Sequence, residues 1–322
     1  MSDTFNPTHY LDKRLTDEVA LPPIPFDWKK HIELRKQQFP TFSFVVISHS
    51  KILFNELDTN QPTDKSNQVV ILAKHLNVFL ICLHETKNEK ENSFIIPKSC
   101  SIVHEDIALT KSKQNNHFFF GGNNEYLHLD NHITNQLFFN SATFKITGKV
   151  NSRFLSVQSK QRHKNDIVYT LEPESNLKHI SFSDISEGQL QDDSLTIIHG
   201  NSSHSEIFYE SLNRGKIASQ INSVIPKQSN KCSTHQHIKH TVLNKHAITN
   251  SKPNLMIENP DVEASHGNSI GSFRNEDLFY LQQRGLSEEE SYSVLSKSRI
   301  NDFISKSPFV AELNSYLKKQ NE

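Results

Sequence analysis

The chain has 322 residues, with 35 Lys and Arg against 36 Asp and Glu, so its overall field neither draws in nucleic acid nor holds it to an anionic membrane. That length can bury a sizeable core in one large or two modest domains. Apolar content of 35% and a mean hydropathy of -0.57 are low for a compact globule and suit an elongated protein with much polar surface. Cys82, Cys100 and Cys232 are widely spaced and odd in number, with no CxxC pair. They spell out neither a disulfide framework nor a thiolate metal cage, and they fit a reducing compartment.

Met1 to Leu15 is polar and charged without the apolar run of a signal peptide, and the reading is a cytoplasmic protein. Pro22, Pro23 and Pro25 block a continuous helix before Phe26. Trp28-Lys29-Lys30 opens a short helix, because His31 to Gln38 holds no breaker. Phe42 to Phe54 and Val69 to Leu83 are dense apolar segments bracketing a polar loop, Asp58 to Asn67. The second is broken by Lys74, His75 and Asn77 and is too short for a membrane span. Residues 1–90 are read as a mixed N-terminal region of unassigned role.

From Phe94 to Glu258 short runs of Ile, Val and Phe alternate with polar turns, as in Phe144-Lys145-Ile146, Phe154 to Val157, Ile167 to Leu171, Leu195 to Ile198 and Ile217 to Ile221. This spacing predicts an all-β region. No helical pattern is long enough for a crossover, which leaves a sandwich, a barrel or a β-solenoid. After Gly271 the period becomes helical. Leu278 and Leu281 share a face up to Arg284, and Gly285 supplies the left-handed stop. Ser287 and Glu290 form a capping box that predicts a second helix from Glu288 to about Lys297. Ser307-Pro308 opens a third, with Phe309, Leu313 and Leu317 as its apolar stripe.

Few residues carry obvious chemistry. Neither GxxxxGK nor GxGxxG occurs, so any nucleotide would be bound by a partner. Asp192-Asp193 and Glu288-Glu289-Glu290 are adjacent acids, which solvation and the helix dipole explain better than a hydrolase pair across one sugar. Neither GxSxG nor HExxH is present. Cys232-Ser233-Thr234-His235-Gln236-His237-Ile238-Lys239-His240 offers four metal-ligating side chains. On a strand, however, His235 and His237 share one face and His240 the other, which favours a structural reading over a zinc site.

Lys252-Pro253-Asn254-Leu255, Asp261-Val262, Ser265-His266-Gly267, Gly271, Leu278-Phe279-Tyr280-Leu281 and Arg284-Gly285-Leu286 together resemble the C-terminal signature of the SufB/SufD family of iron-sulfur assembly scaffolds. Gly215-Lys216-Ile217 and Thr234-x-Gln236 echo the family's final strands. The resemblance implies a mainly β fold, a right-handed parallel β-helix over 91–265, followed by a small helical domain, 266–322, that docks the ATPase. It implies that His266, with Ser265 and Gly267, lies where the nascent cluster is built, and that His266 is a candidate metal ligand. A histidine beside a glycine at the junction of the last strand and the helical block would be sterically open. Phe279, Tyr280 and Arg284 are assigned to the ATPase contact, with core packing as the alternative.

The family usually has a cysteine where Ala264 stands. SufB-type members also carry one in the segment that here reads Leu243-Asn244-Lys245-His246-Ala247. The resemblance is therefore closest to SufD. It implies a noncatalytic scaffold subunit with no catalytic residue and no tightly bound cofactor of its own. A transient iron-sulfur cluster would form at the interface with a SufB-like paralogue, and a SufC-like ABC ATPase would supply the ATP-driven step. Neither nucleic acid nor membrane is an expected partner, and the reading allows a homodimer in isolation. The alternatives are a degenerate SufD homologue that keeps only the ATPase contact, and a β-solenoid enzyme acting on polysaccharide.

Overall fold

The computed structural model describes residues 27–48, 51–55, 68–70, 77–84, 90–96, 99–108, 112–132, 138–159 and 162–320. It is mainly β, a parallel β-solenoid of about six turns with a few C-terminal helices. Helix α1 (Trp28–Gln38) starts on Asp27, whose side chain accepts from the Lys30 amide, and its position is that read from the sequence. Then follow β1 (Ser43–Ser48), β2 (Lys51–Asn55), β3 (Gln68–Val70), β4 (Asn77–His84), β5 (Lys90–Ile96), β6 (Ser101–Ala108), β7 (Ser112–His132) and β8 (Phe138–Ser159). The series continues through β9 (Arg162–Leu171), β10 (Asn176–Ile185), β11 (Leu190–His199), β12 (His204–Asn213), β13 (Lys216–Ile225), β14 (Cys232–Val242), β15 (Ile248–Ile257) and β16 (Val262–Gly271).

Along the later turns consecutive strands do not pair. Strand β9 stacks on β11, β11 on β13 and β13 on β15, all parallel, while β8, β10, β12, β14 and β16 stack as a second parallel wall. A parallel pair needs a long return path, and here each return is the strand of the opposite wall, so no helix is required. The stacking begins upstream of residue 91, because β1 pairs in parallel with β4, and β4 with β6. The long strands β7 and β8 turn a corner where Gly122 stacks on Gly148. Gly122 has φ 76, and a Cβ on Gly148 would sit 2.2 Å from the Gly122 carbonyl oxygen, so the corner holds two backbones in direct contact.

Side chains alternate inward and outward along each strand. Inside, Phe94, Phe118, Phe144 and Tyr169 stack through four successive turns with ring centroids 4.7, 4.9 and 4.7 Å apart. Yet the interior is not the column of branched side chains that a solenoid suggests. Gln191, Asp193, His199, Ser205, Thr234, Gln236 and His240 also point inward and are buried. They bond one another and neighbouring serines: the Gln191 amide donates to Asp193 (2.6 Å), Ser205 and Ser223 both bond Thr234 (2.8 Å each), and His240 lies between Ser211 (2.7 Å) and Ser219 (3.2 Å). The low mean hydropathy thus reflects a partly polar interior as well as polar surface.

A second cluster lies outside the wall, where α1 and the C-terminal helices α2 (Asn275–Gln282), α3 (Glu288–Ser305) and α4 (Val310–Gln320) cover it. Phe42 meets Phe309 at 5.9 Å, and Phe182 meets Phe303 at 5.7 Å. The capping box of Ser287 and Glu290 is formed. Helix α3 runs to Ser305, however, past the expected end near Lys297, because Phe303 and Ile304 are buried against the wall. On the same outer face Arg35 clasps Glu105 through Nε (2.9 Å) and Nη2 (2.5 Å), with His31 Nε2 2.9 Å away. Burial alone would raise the Glu105 carboxyl, but Arg35 and His31 together outweigh it and hold the group well below the usual carboxylate range.

Candidate assembly face at the last turn

The last turn of the solenoid is built from β15 and β16. Among the described residues, β15 pairs only with β13 and β16 only with β14, so each keeps one edge of backbone donors and acceptors facing outward. Such an edge is a template for another chain. Around it Ile248, Met256, Ile257 and Ile270 are exposed at 50, 48, 39 and 50%. The sequence carried a signal for this face in its last two strand-like runs, but nothing in their composition says that no further turn covers them.

His266 lies in the middle of β16, opposite Gln236, and is exposed. The strand continues five residues beyond it to Gly271, so the junction expected at His266 is instead a position within the exposed wall. The register with β14 holds through Gly271 and carries the strand past the histidine. Ser265 Oγ bonds His235 Nδ1 at 2.8 Å, and the Ser251 hydroxyl reaches Asn268 Oδ1 at 3.2 Å, joining β15 to β16. A Cβ on Gly267 would meet nothing within 4 Å. The absent side chain relieves no clash in this chain; it leaves the edge bare.

A neutral imidazole can ligate a transition metal or carry a proton near neutral pH. Among the described residues His266 belongs to no cluster of three metal-ligating side chains. Ala264, two residues earlier on the same strand face, offers no ligand atom. A groove of ≈ 890 Å³ lined by Lys149, Lys178, Phe208, Lys239 and Lys306 runs beside α3 and reaches Gly267 and Ser269. Glu210 and Asp302 line it too, and Lys306 pairs with Asp302 at 2.5 Å.

The other candidate residues sit on α2 and the turn after it. Phe279 and Tyr280 are both exposed, at 62 and 56%, while Leu278 and Leu281 are half-buried. The Arg284 guanidinium lies 4.5 Å from the centre of the Tyr280 ring, and Gly285 takes φ 92 at the helix stop. An exposed aromatic pair beside a stacked Arg has the composition that anchors protein partners.

The remaining motifs resolve structurally. His235 and His237 face outward, the latter stacked on Phe208 at 5.0 Å. His240 faces inward, where burial lowers its pKa to about 4. The Cys232 thiol donates to the Gly200 carbonyl at 3.1 Å, so these residues do not converge. Asp193 points into the interior and accepts from the Tyr209 hydroxyl and, at 2.9 Å, from Asn165 Nδ2, whereas Asp192 faces outward on the same strand. Two acids on opposite faces cannot flank one substrate.

Compared with known proteins, residues 108–298 match the model of the SufBD core domain of the SUF system for FeS cluster assembly. The chain belongs to the SufBD family. Among curated relatives, an iron-sulfur cluster assembly SufBD family protein of Archaeoglobus fulgidus is 30% identical over 111 residues, 34% of this chain and 30% of the relative. One from Pyrococcus horikoshii is 30% identical over 122 residues, 37% of this chain and 26% of the relative. One from Mycobacterium leprae is 38% identical over 69 residues, 21% of this chain and 18% of the relative. The chain thus matches less than a third of the length of each. The SufBD core match takes in β15, β16, α2 and most of α3, and so both candidate groups.

Proposed function

We propose that this SufBD-family chain is a SufD-like, noncatalytic scaffold subunit of an iron-sulfur cluster assembly complex in the cytoplasm. It pairs through the last turn with a SufB-like paralogue and through α2 with a SufC-like ABC ATPase. The observation that carries this reading is the bare end of the solenoid: two unpaired edges, four exposed apolar side chains and His266 between them. The cluster is cargo, built transiently where a cysteine from the paralogue meets His266, because this chain presents no thiol on that face and all three of its cysteines are buried. Phe279, Tyr280 and Arg284 form the ATPase contact. In isolation the same bare end pairs two copies. No helix among the described residues is long and apolar enough to cross a membrane.

Anaerobic co-expression with a SufB-like and a SufC-like protein tests the proposal. The wild type co-purifies with both; His266→Ala still co-purifies but lowers cluster absorbance, and Tyr280→Ala with Arg284→Ala releases the ATPase alone. Failure of the wild type to retain either partner ends the complex reading. An undiminished cluster in His266→Ala leaves a subunit that only docks the ATPase.

A further inference from the structure

The first turns hold a second concentration of metal-ligating side chains, inside the solenoid and far along the chain from His266. Register brings it about. Cys82 stands beside Asp106 across β4 and β6, and His104 stands beside His128 across β6 and β7. His104 and Asp106 are two residues apart on one strand and so share its inward face. The ligand atoms of Cys82, His104 and Asp106 all lie within 4.8 Å of one another. His104 Nε2 is 3.2 Å from Asp106 Oδ1, and His128 Nε2 is 3.7 Å from Asp106 Oδ2. All four side chains are buried, none more than 1% exposed.

We propose that Cys82, His104, Asp106 and His128 bind one divalent transition-metal ion of the zinc class inside the first turns. A tetrahedral ion with bonds of about 2.0–2.3 Å sets its ligand atoms roughly 3.3–3.8 Å apart; the two nitrogen-to-oxygen spacings, 3.2 and 3.7 Å to the two Asp106 oxygens, lie close to that range. The Cys82 thiol lies within 4.8 Å of the His104 and Asp106 ligand atoms. Charge supports the same assignment. One thiolate, one carboxylate and two neutral imidazoles around a dication sum to zero, which offsets the cost of burying an acid and a thiol in this interior.

The supporting shell is in place as well. Tyr126 Oη lies 2.7 Å from His104 Nδ1 and fixes that ring with Nε2 toward Asp106, while the ion would displace the 3.5 Å contact of Asn140 Nδ2 with His128 Nε2. Holding the far nitrogen of an imidazole, as Tyr126 does for His104, is how proteins orient a metal ligand. Phe118 and Phe120 pack at 5.3 and 5.9 Å from the Tyr126 ring and form an apolar wall. The mixed sulfur, nitrogen and oxygen set selects zinc-class ions over magnesium or calcium. Binding expels the Cys82 thiol proton to solvent, and the enclosed position means that the ion enters as the turns fold.

The full chain is expressed in minimal medium with added Co2+ and purified, and its metal content and absorption are measured. The expected result is about one cobalt per chain with a thiolate-to-cobalt charge-transfer band. Cys82→Ser removes that band, and His104→Ala lowers cobalt content about tenfold or more. Cys100→Ser and Cys232→Ser leave both unchanged. Wild type that folds without cobalt overturns the site, as does a band that survives Cys82→Ser or vanishes with Cys232→Ser. X-ray absorption at the cobalt edge of the wild type decides the matter even where a variant does not fold: one sulfur with nitrogen and oxygen neighbours supports the site, and purely nitrogen and oxygen scattering overturns it.

Discussion

The two ends of the solenoid are finished differently. In β1, near the N-terminal end, Phe44, Val45, Val46 and Ile47 are all buried; one face packs into the interior and the other lies in the outer cluster beneath the helices. In β16, at the other end, every residue from Ser265 to Gly271 is exposed. A stack of turns needs a cap wherever its last turn meets water. Among the described residues, the flank of the first turns lies under α1 and the C-terminal helices, whereas the last turn leaves apolar side chains exposed. Burial is therefore concentrated at one end and exposed apolar surface at the other.

The largest expected effect breaks the covered end. Arg35→Ala removes the guanidinium from Glu105, which is buried at 0% exposure, and loss of one partner from a buried ion pair costs ~3–5 kcal/mol. Chemical denaturation reads this as a lower midpoint, and a variant within ~1 kcal/mol of the wild type means that the pair does not hold α1 down. Next is acid. Burial lowers the pKa of His179, His199 and His240 to about 3, about 4 and about 4, against ~6.5 when unfolded. The unfolded chain thus binds protons first as pH falls. The stability these neutral rings contribute is whole above pH ~6.5 and is lost as pH falls toward 4. Each ring accounts for ~1.4 kcal/mol for every tenfold difference in proton affinity between the folded and unfolded chain. Melting curves between pH 7 and 4 test the slope, which His240→Gln reduces; an identical slope in that variant rules His240 out.

A smaller loss is expected at the corner. Gly148→Ala forces a methyl group onto the Gly122 carbonyl and costs ~1–3 kcal/mol, seen as a lower thermal midpoint. The smallest effect on stability sharpens the comparison most. Ile270→Lys on the bare end changes the isolated chain by no more than ~0.5 kcal/mol, yet it abolishes co-purification with the SufB-like partner. A variant that unfolds instead shows that Ile270 packs within its own chain, and one that still binds moves the interface elsewhere.

Much of this was legible in the residues. The strand runs between Phe94 and Glu258 fall on β5 to β15, and the capping box of Ser287 and Glu290 is visible as a four-residue pattern because its interactions are local. What was not legible depends on register. His104 and Asp106 look like ordinary polar residues until β4 and β7 place Cys82 and His128 beside them. Inward Gln191, Asp193 and Gln236 defy the expectation of an apolar interior because their partners come from neighbouring strands and turns. Helix α3 outruns its predicted end for the same reason: Ile304 gains nothing locally and is buried only once the wall exists. His266 was singled out through its motif, while its place within an exposed edge came from the strand that continues past it.

The contact of Phe42 with Phe309 has a consequence for synthesis. Phe39, Phe44 and Phe79 are translated long before Phe309 and Leu313, which complete the same layer. At ~5–20 residues per second, the outer face of the first turns waits many seconds on the ribosome before α4 arrives to shield it. During that interval it is the surface a chaperone has most reason to hold.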